Sequence, residues 1–296
     1  MSFFRVGLIL GLALQSSYSQ LTPPQPPRET PLAEIAPDKV PQEGISEKGQ
    51  VALAILPEKW KVAETPNFYI HFRRMTEARK VGREVEFNLA FIAAQLGTTP
   101  AQYARKSHVY VFEDAGEWAS FVAKTQMPEW TSSFAYGDEL FLNVRGQNGG
   151  SFDSQTLAHE TTHAVVARIY RERRWPLWLN EGVAEYMGSA AVAGRKNQTL
   201  KRLQNRLEVA DMPLEELIHL EAYPQNTKDV SRLYQTSERF VRFLMSKGTS
   251  QQFVGFADAL IAGQTVEQAI AANYHQTFPD FKKFQADYEK YSGGKR

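Results

Sequence analysis

The strongest constraint on what this chain can fold into is a change of hydrophobic period near residue 154. Before it, short apolar runs alternate with polar residues. Phe68, Ile70 and Phe72 interleave with Tyr69, His71 and Arg73, the period of two that marks a half-buried strand. His108 to Phe112 predicts a second strand, while Phe134 to Tyr136 and Glu139 to Val144 flank Gly137-Asp138 as a hairpin. One long helix interrupts them, since Val81, Val85, Leu89, Ile92 and Leu96 recur at helical spacing, with Thr76 as a cap and Gly97 as a stop. Asp114 is expected to cap a shorter helix, with Glu117 completing a capping box. After 154 the pattern is helical, predicting helices over 154–171, 177–190, 196–209, 232–247, 250–262, 265–273 and 278–291. Strands first and helices afterwards predict an α+β fold with an N-terminal strand-rich lobe and a C-terminal helical lobe, not a doubly wound sheet.

The start of the chain is of a different kind. Met1 to Arg5 is short and positively charged, Val6 to Leu14 is apolar but too short for a permanent span, and Ser17-Tyr18-Ser19 supplies small residues for cleavage. Residues 1–19 are therefore expected to be a signal peptide, and the protein to be exported to the periplasm or the extracellular space, with no stable membrane span after cleavage. Thr22-Pro23-Pro24-Gln25-Pro26-Pro27 and the prolines at 31, 37 and 41 predict an extended, Pro-rich linker over 20–50. A single domain over 51–296 should follow, divided into an α/β lobe (51–152), a helix pair (153–187) and a helical lobe (188–296). A chain of 296 residues that is 43% hydrophobic can bury a core of that size. With a net charge of +1 and no basic block, nothing argues for a nucleic-acid partner. Arg168, Arg171, Arg173 and Arg174 are expected to solvate a helix terminus. There are no cysteines, so disulfides and thiol chemistry are excluded.

The chemistry concentrates after the period change. His159-Glu160-Thr161-Thr162-His163 is an HExxH pattern on a predicted helix. Residues four apart lie one turn above each other on the same face, so both imidazoles can reach one cation. Glu160 borders that site without having to ligate, and is placed to take a proton from an activated water. Two histidines leave a catalytic zinc one protein ligand short. Trp178-Leu179-Asn180-Glu181-Gly182-Val183-Ala184-Glu185-Tyr186 offers carboxylates, 18 positions after His163 for Glu181. Arg173 to Pro176 can break the first helix and return the chain as a second one beside it. Glu181 and Glu185 sit one turn apart in an otherwise apolar helix, where burial without a cation or donor is costly. One can ligate while the other accepts a hydrogen bond from a ligand imidazole.

HETTH followed by PLWLNEGVAEY resembles the gluzincin zinc metallopeptidases, in particular the bacterial peptidase MA-like domains, which share the phrase proline-x-tryptophan-leucine-x-glutamate-glycine-x-alanine-glutamate. The resemblance implies a thermolysin-like zincin fold, one Zn2+ per chain, His159, His163 and Glu181 as ligands, and Asn180 and Glu185 orienting the histidines. It implies that Glu139 to Val144 forms the sheet edge along which an extended peptide substrate pairs, with the cleft between residues 51–152 and the part after 188. Leu233-Tyr234-Gln235-Thr236-Ser237-Glu238 resembles the tyrosine-bearing helix of the zinc aminopeptidases, which implies that Tyr234 stabilises an oxyanion. Tyr223 and Tyr186 are weaker candidates. The GAMEN-like motif of aminopeptidases is absent, replaced by FAYGDELFLNV, which argues against aminopeptidase activity and leaves endopeptidase action or hydrolysis of cell-wall or other short peptides open.

The expectation is an exported zinc peptidase with Glu160 as general base, acting on a peptide or protein substrate. The alternative is an exported metal-binding interaction or structural module without hydrolytic activity. His71, His108, His219 and His275 have no partner at ligand spacing and are expected to be structural or solvated.

Overall fold

The computed structural model describes residues 31–99, 103, 105–129, 131–145, 153–170, 175–195 and 211–293. The expected signal peptide, the prolines at 23–27, the arginines at 171–174 and the expected helix over 196–209 lie outside the described residues. In chain order the described elements are β1 (Ala33–Ile35), α1 (Glu47–Leu53), β2 (Lys61–Glu64), β3 (Phe68–Phe72), α2 (Met75–Gln95), β4 (Ser107–Phe112), α3 (Ala115–Lys124), β5 (Ser133–Tyr136) and β6 (Glu139–Asn143). Then come α4 (Ser154–Tyr170), α5 (Leu177–Arg195), α6 (Leu214–Ile218), α7 (Thr227–Lys247), α8 (Ser250–Ile261), α9 (Val266–Asn273) and α10 (Phe281–Gly293). The architecture is α+β, with one mixed six-stranded sheet in the order β1-β2-β3-β4-β6-β5.

The three central strands β3, β4 and β6 run parallel and are covered on both faces, as parallel strands usually are. Phe68, Ile70, Phe72, Val109, Val111, Leu140 and Leu142 join the core under α2 and α4. Tyr110, Phe112 and Phe141 face the other way, into a smaller aromatic cluster with Trp118 and Phe121 of α3 and Ala52 of α1. The larger core continues without a break through α5 and α7 to Phe284 and Tyr288 of α10. The two expected lobes thus share one core.

Three expectations about this frame are corrected. The folded body begins well before residue 51. Ala33–Ile35 pairs antiparallel with β2, and α1 is capped by Ser46, whose side chain accepts from the Gly49 amide. Prolines 31, 37 and 41 bracket these elements without interrupting them, because a three-residue edge strand asks for few donors. Second, Glu139–Asn143 is not the sheet edge. The hairpin folds β5 outside β6, so Ser133–Tyr136 is the edge strand next to the helices. Third, Arg168 is only partly solvated: its guanidinium donates to the Asn67 and Arg105 carbonyls and lies over the Tyr103 ring. Asp114 caps α3 as expected, accepting from the Gly116 and Glu117 amides. The Glu117 carboxylate, however, accepts from Arg73 instead of closing a capping box.

Candidate metal and catalytic centre

Two helices carry most of the site. Asp153 caps α4, accepting from the Gln155 and Thr156 amides at 3.1 and 3.3 Å. Leu157, Ala158, Ala164 and Val165 bury its inner face. Thr161 and Thr162 are also buried, and each hydroxyl donates back to the carbonyl four residues earlier, so the polar middle of the motif costs no unpaired group. Pro176 precedes α5, and its carbonyl accepts from the Leu179 and Asn180 amides. Close helix approach sets the rest. A Cβ on Gly188 would lie 3.0 Å from the Gln155 carbonyl oxygen of α4, and one on Gly182 would lie 2.5 Å from the Ser237 carbonyl oxygen of α7. Larger residues at these positions would force the three helices apart.

That packing gathers the sequence-predicted ligands. His159 Nε2 and His163 Nε2 are 3.0 Å apart. Glu181 Oε2 stands 3.5 Å from the first and 3.6 Å from the second. Donors held tetrahedrally about 2.0–2.1 Å from a zinc ion are spaced about 3.3 Å apart, and the observed triangle brackets that value. Glu181 Oε2 is buried and has no hydrogen-bond partner among the described residues, and 3.5 Å is too long for a good hydrogen bond to either ring. Such an orphan costs about 1–3 kcal/mol, more for a charged group, unless a cation meets it. The residues present therefore fit a zinc ion.

The surroundings have matching polarity. Glu185 Oε1 lies 3.3 Å from His159 Nδ1, leaving Nε2 to the triangle. Glu160 is buried, and it joins His159 and His163 in a group whose ligand atoms lie within 4.8 Å of one another. Burial raises its pKa, opposed by the neighbouring histidines and by the Ala135 amide of β5. Burial disfavours a charged His159 ring, but contact with Glu181 and Glu185 and the field of Glu160 outweigh it and raise its pKa to about 10. Burial likewise acts against the Glu181 carboxylate, and the two imidazoles hold it well below the usual range. Three carboxylates around two imidazoles favour positive charge at the centre, whether a proton or a metal ion supplies it.

The chain matches no family model and no curated protein. Residue geometry alone carries the reading.

The remaining predicted residues divide. Tyr234, on α7, comes to the site, its ring 6.1 Å from that of His159. Burial and the fields of Glu181 and Glu160 raise its pKa, so it is a neutral donor. Asn180 shares no hydrogen bond with either histidine among the described residues; it precedes Glu181 by one residue, about 100° round the helix, and the expected role falls to Glu185 alone. Tyr186 is buried away from the triangle, its pKa pushed up to about 12 by burial. Tyr223 is the residue that sequence reasoning undervalued. Its hydroxyl donates to Glu181 Oε1 at 2.5 Å, from a stretch between α6 and α7 with no periodicity to reveal it.

Proposed function

We propose that this protein is a zinc-dependent peptidase with His159, His163 and Glu181 as ligands and Glu160 as general base. The observation that carries the reading is the 3.0, 3.5 and 3.6 Å triangle of His159, His163 and Glu181, whose carboxylate oxygen has no hydrogen-bond partner among the described residues. A purely structural site needs no general base beside it and usually closes its fourth position with protein.

With zinc bound, the site would gain a water of pKa near about 7 and a Lewis acid for the scissile carbonyl. The chain's own residues do the rest. Glu160 receives the proton of the attacking water on its carboxylate and returns it to the leaving amine. Tyr234 donates its phenolic hydrogen toward the developing oxyanion, a bond that strengthens as negative charge forms. Glu185 holds the His159 ring in the tautomer with Nε2 unprotonated. The outer edge of β5 offers backbone groups to an extended peptide, which can pair there as an added strand. The β5 backbone at Ala135 lowers the pKa of the Glu160 carboxyl, which sets that edge near the base. These features support peptide hydrolysis over a non-hydrolytic metal module.

The test is cleavage of a mixed peptide library by the full chain, with and without a chelator. Cleavage that the chelator removes and added zinc restores is the expected outcome. A protein that retains one zinc and cleaves nothing would favour the module.

A further inference from the structure

The two oxygens of Glu181 have different surroundings. Oε2 faces both histidine nitrogens and has no hydrogen-bond partner among the described residues. Oε1 accepts from the Tyr223 hydroxyl at 2.5 Å, the length of a charge-assisted O–H···O bond. Tyr223 is otherwise half out in solvent, 52% exposed, so it is not held there by burial in the core. Its ring lies 6.5 Å from that of Tyr234.

A carboxylate with both oxygens free can take a cation with both, and then occupies more of the coordination shell. A carboxylate with one oxygen engaged in a strong hydrogen bond presents the other alone. In a site of two imidazoles, one carboxylate and a water, this difference decides whether the ion is four- or five-coordinate. We infer that Tyr223 is a positioning residue that holds Glu181 to one-oxygen presentation and so keeps the ion four-coordinate, with solvent in the fourth position. The inference rests on the metal-site reading above. It also separates the two tyrosines: Tyr223 donates to Glu181, whereas Tyr234 meets the site through the His159 ring.

The experiment compares Tyr223→Phe and Tyr234→Phe with the wild type in the full chain. Zinc affinity is measured by competition with a chromophoric chelator, and coordination number by the visible absorption of the cobalt-substituted proteins, whose intensity falls as four-coordinate ions become five-coordinate. Far-ultraviolet dichroism checks that each variant is folded. Tyr223→Phe should weaken zinc about 10–100-fold, the usual effect of losing a partner to a ligand, and should dim the cobalt band. Tyr234→Phe should leave both unchanged. Wild-type affinity in Tyr223→Phe, or weaker zinc with an undimmed cobalt band, would overturn the role of Tyr223 while leaving the metal site standing. Failure of the wild type to bind zinc would overturn the site reading itself, and this inference with it.

Discussion

Two histidine pairs in this molecule have the same spacing and opposite surroundings. His159 and His163 approach at 3.0 Å through their Nε2 atoms on one side of the sheet. His71 Nε2 and His108 Nδ1 approach at 3.0 Å on neighbouring strands β3 and β4. Around the first pair stand Glu160, Glu181 and Glu185. Around the second stand Tyr110, stacked on His71, and Tyr69, tilted against His108. The carboxylate that acts on His108, Asp138, is already paired with Arg105, and Glu139 is engaged by the Tyr110 hydroxyl and the Ser46 amide. The consequences diverge. His159 is raised to about 10. Burial, helped by its neighbour, lowers His71 to about 3, and burial lowers His108 to about 4. Two imidazoles in contact are not a metal site. Carboxylates converging on the same point, with one oxygen unpaired among the described residues, make the difference.

The comparison breaks most sharply at Glu160. Glu160→Gln should lower kcat about 100–10,000-fold, the range of general acid–base catalysis, with zinc content unchanged; wild-type turnover in steady-state assays would refute the assignment. Tyr234→Phe should cost somewhat less, about 100–1,000-fold in kcat with KM nearly unchanged, as for loss of one oxyanion donor. Progress curves showing a KM effect alone would place Tyr234 in binding only.

Packing beneath the site gives the next effect. Gly182→Ala puts a methyl group 2.5 Å from the Ser237 carbonyl oxygen, and should cost about 1–3 kcal/mol by overpacking. Urea unfolding at wild-type stability would show that α7 can retreat freely.

The smallest effect sharpens the second pair. His71 and His108 are neutral when folded, at about 3 and 4, while unfolded histidine titrates near about 6.5. As pH falls below about 6.5 the unfolded chain takes up protons first, so stability declines until the folded values are passed. His71→Phe removes one such group. The stability difference between wild type and variant should then change by about 1.4 kcal/mol per pH unit between about pH 6 and 4. A pH-independent difference in urea titrations would contradict the buried neutral pair.

Much of the site was legible because it lies on long helices. Four-residue spacing places His159 over His163 and Glu181 over Glu185 whatever the tertiary context, and the cost of burying those carboxylates requires a common partner. What could not be read depends on pairings between distant segments. Alternation marks Glu139 to Val144 as a strand but does not say which side of the hairpin faces outward, so the edge passed to β5. A three-residue strand such as β1 is shorter than any periodicity test. His71 and His108 are 37 residues apart and meet only through the parallel register of β3 and β4. Tyr223 lies in an irregular stretch, where no pattern aims a side chain at Glu181.

The most direct test of the central claim is zinc stoichiometry by elemental mass spectrometry on the wild type and two double variants. The account predicts one zinc per chain in the wild type and in His71→Ala/His108→Ala, and none in His159→Ala/His163→Ala. Zinc bound equally well after loss of His159 and His163, or absent from the wild type under zinc-replete conditions, would contradict it.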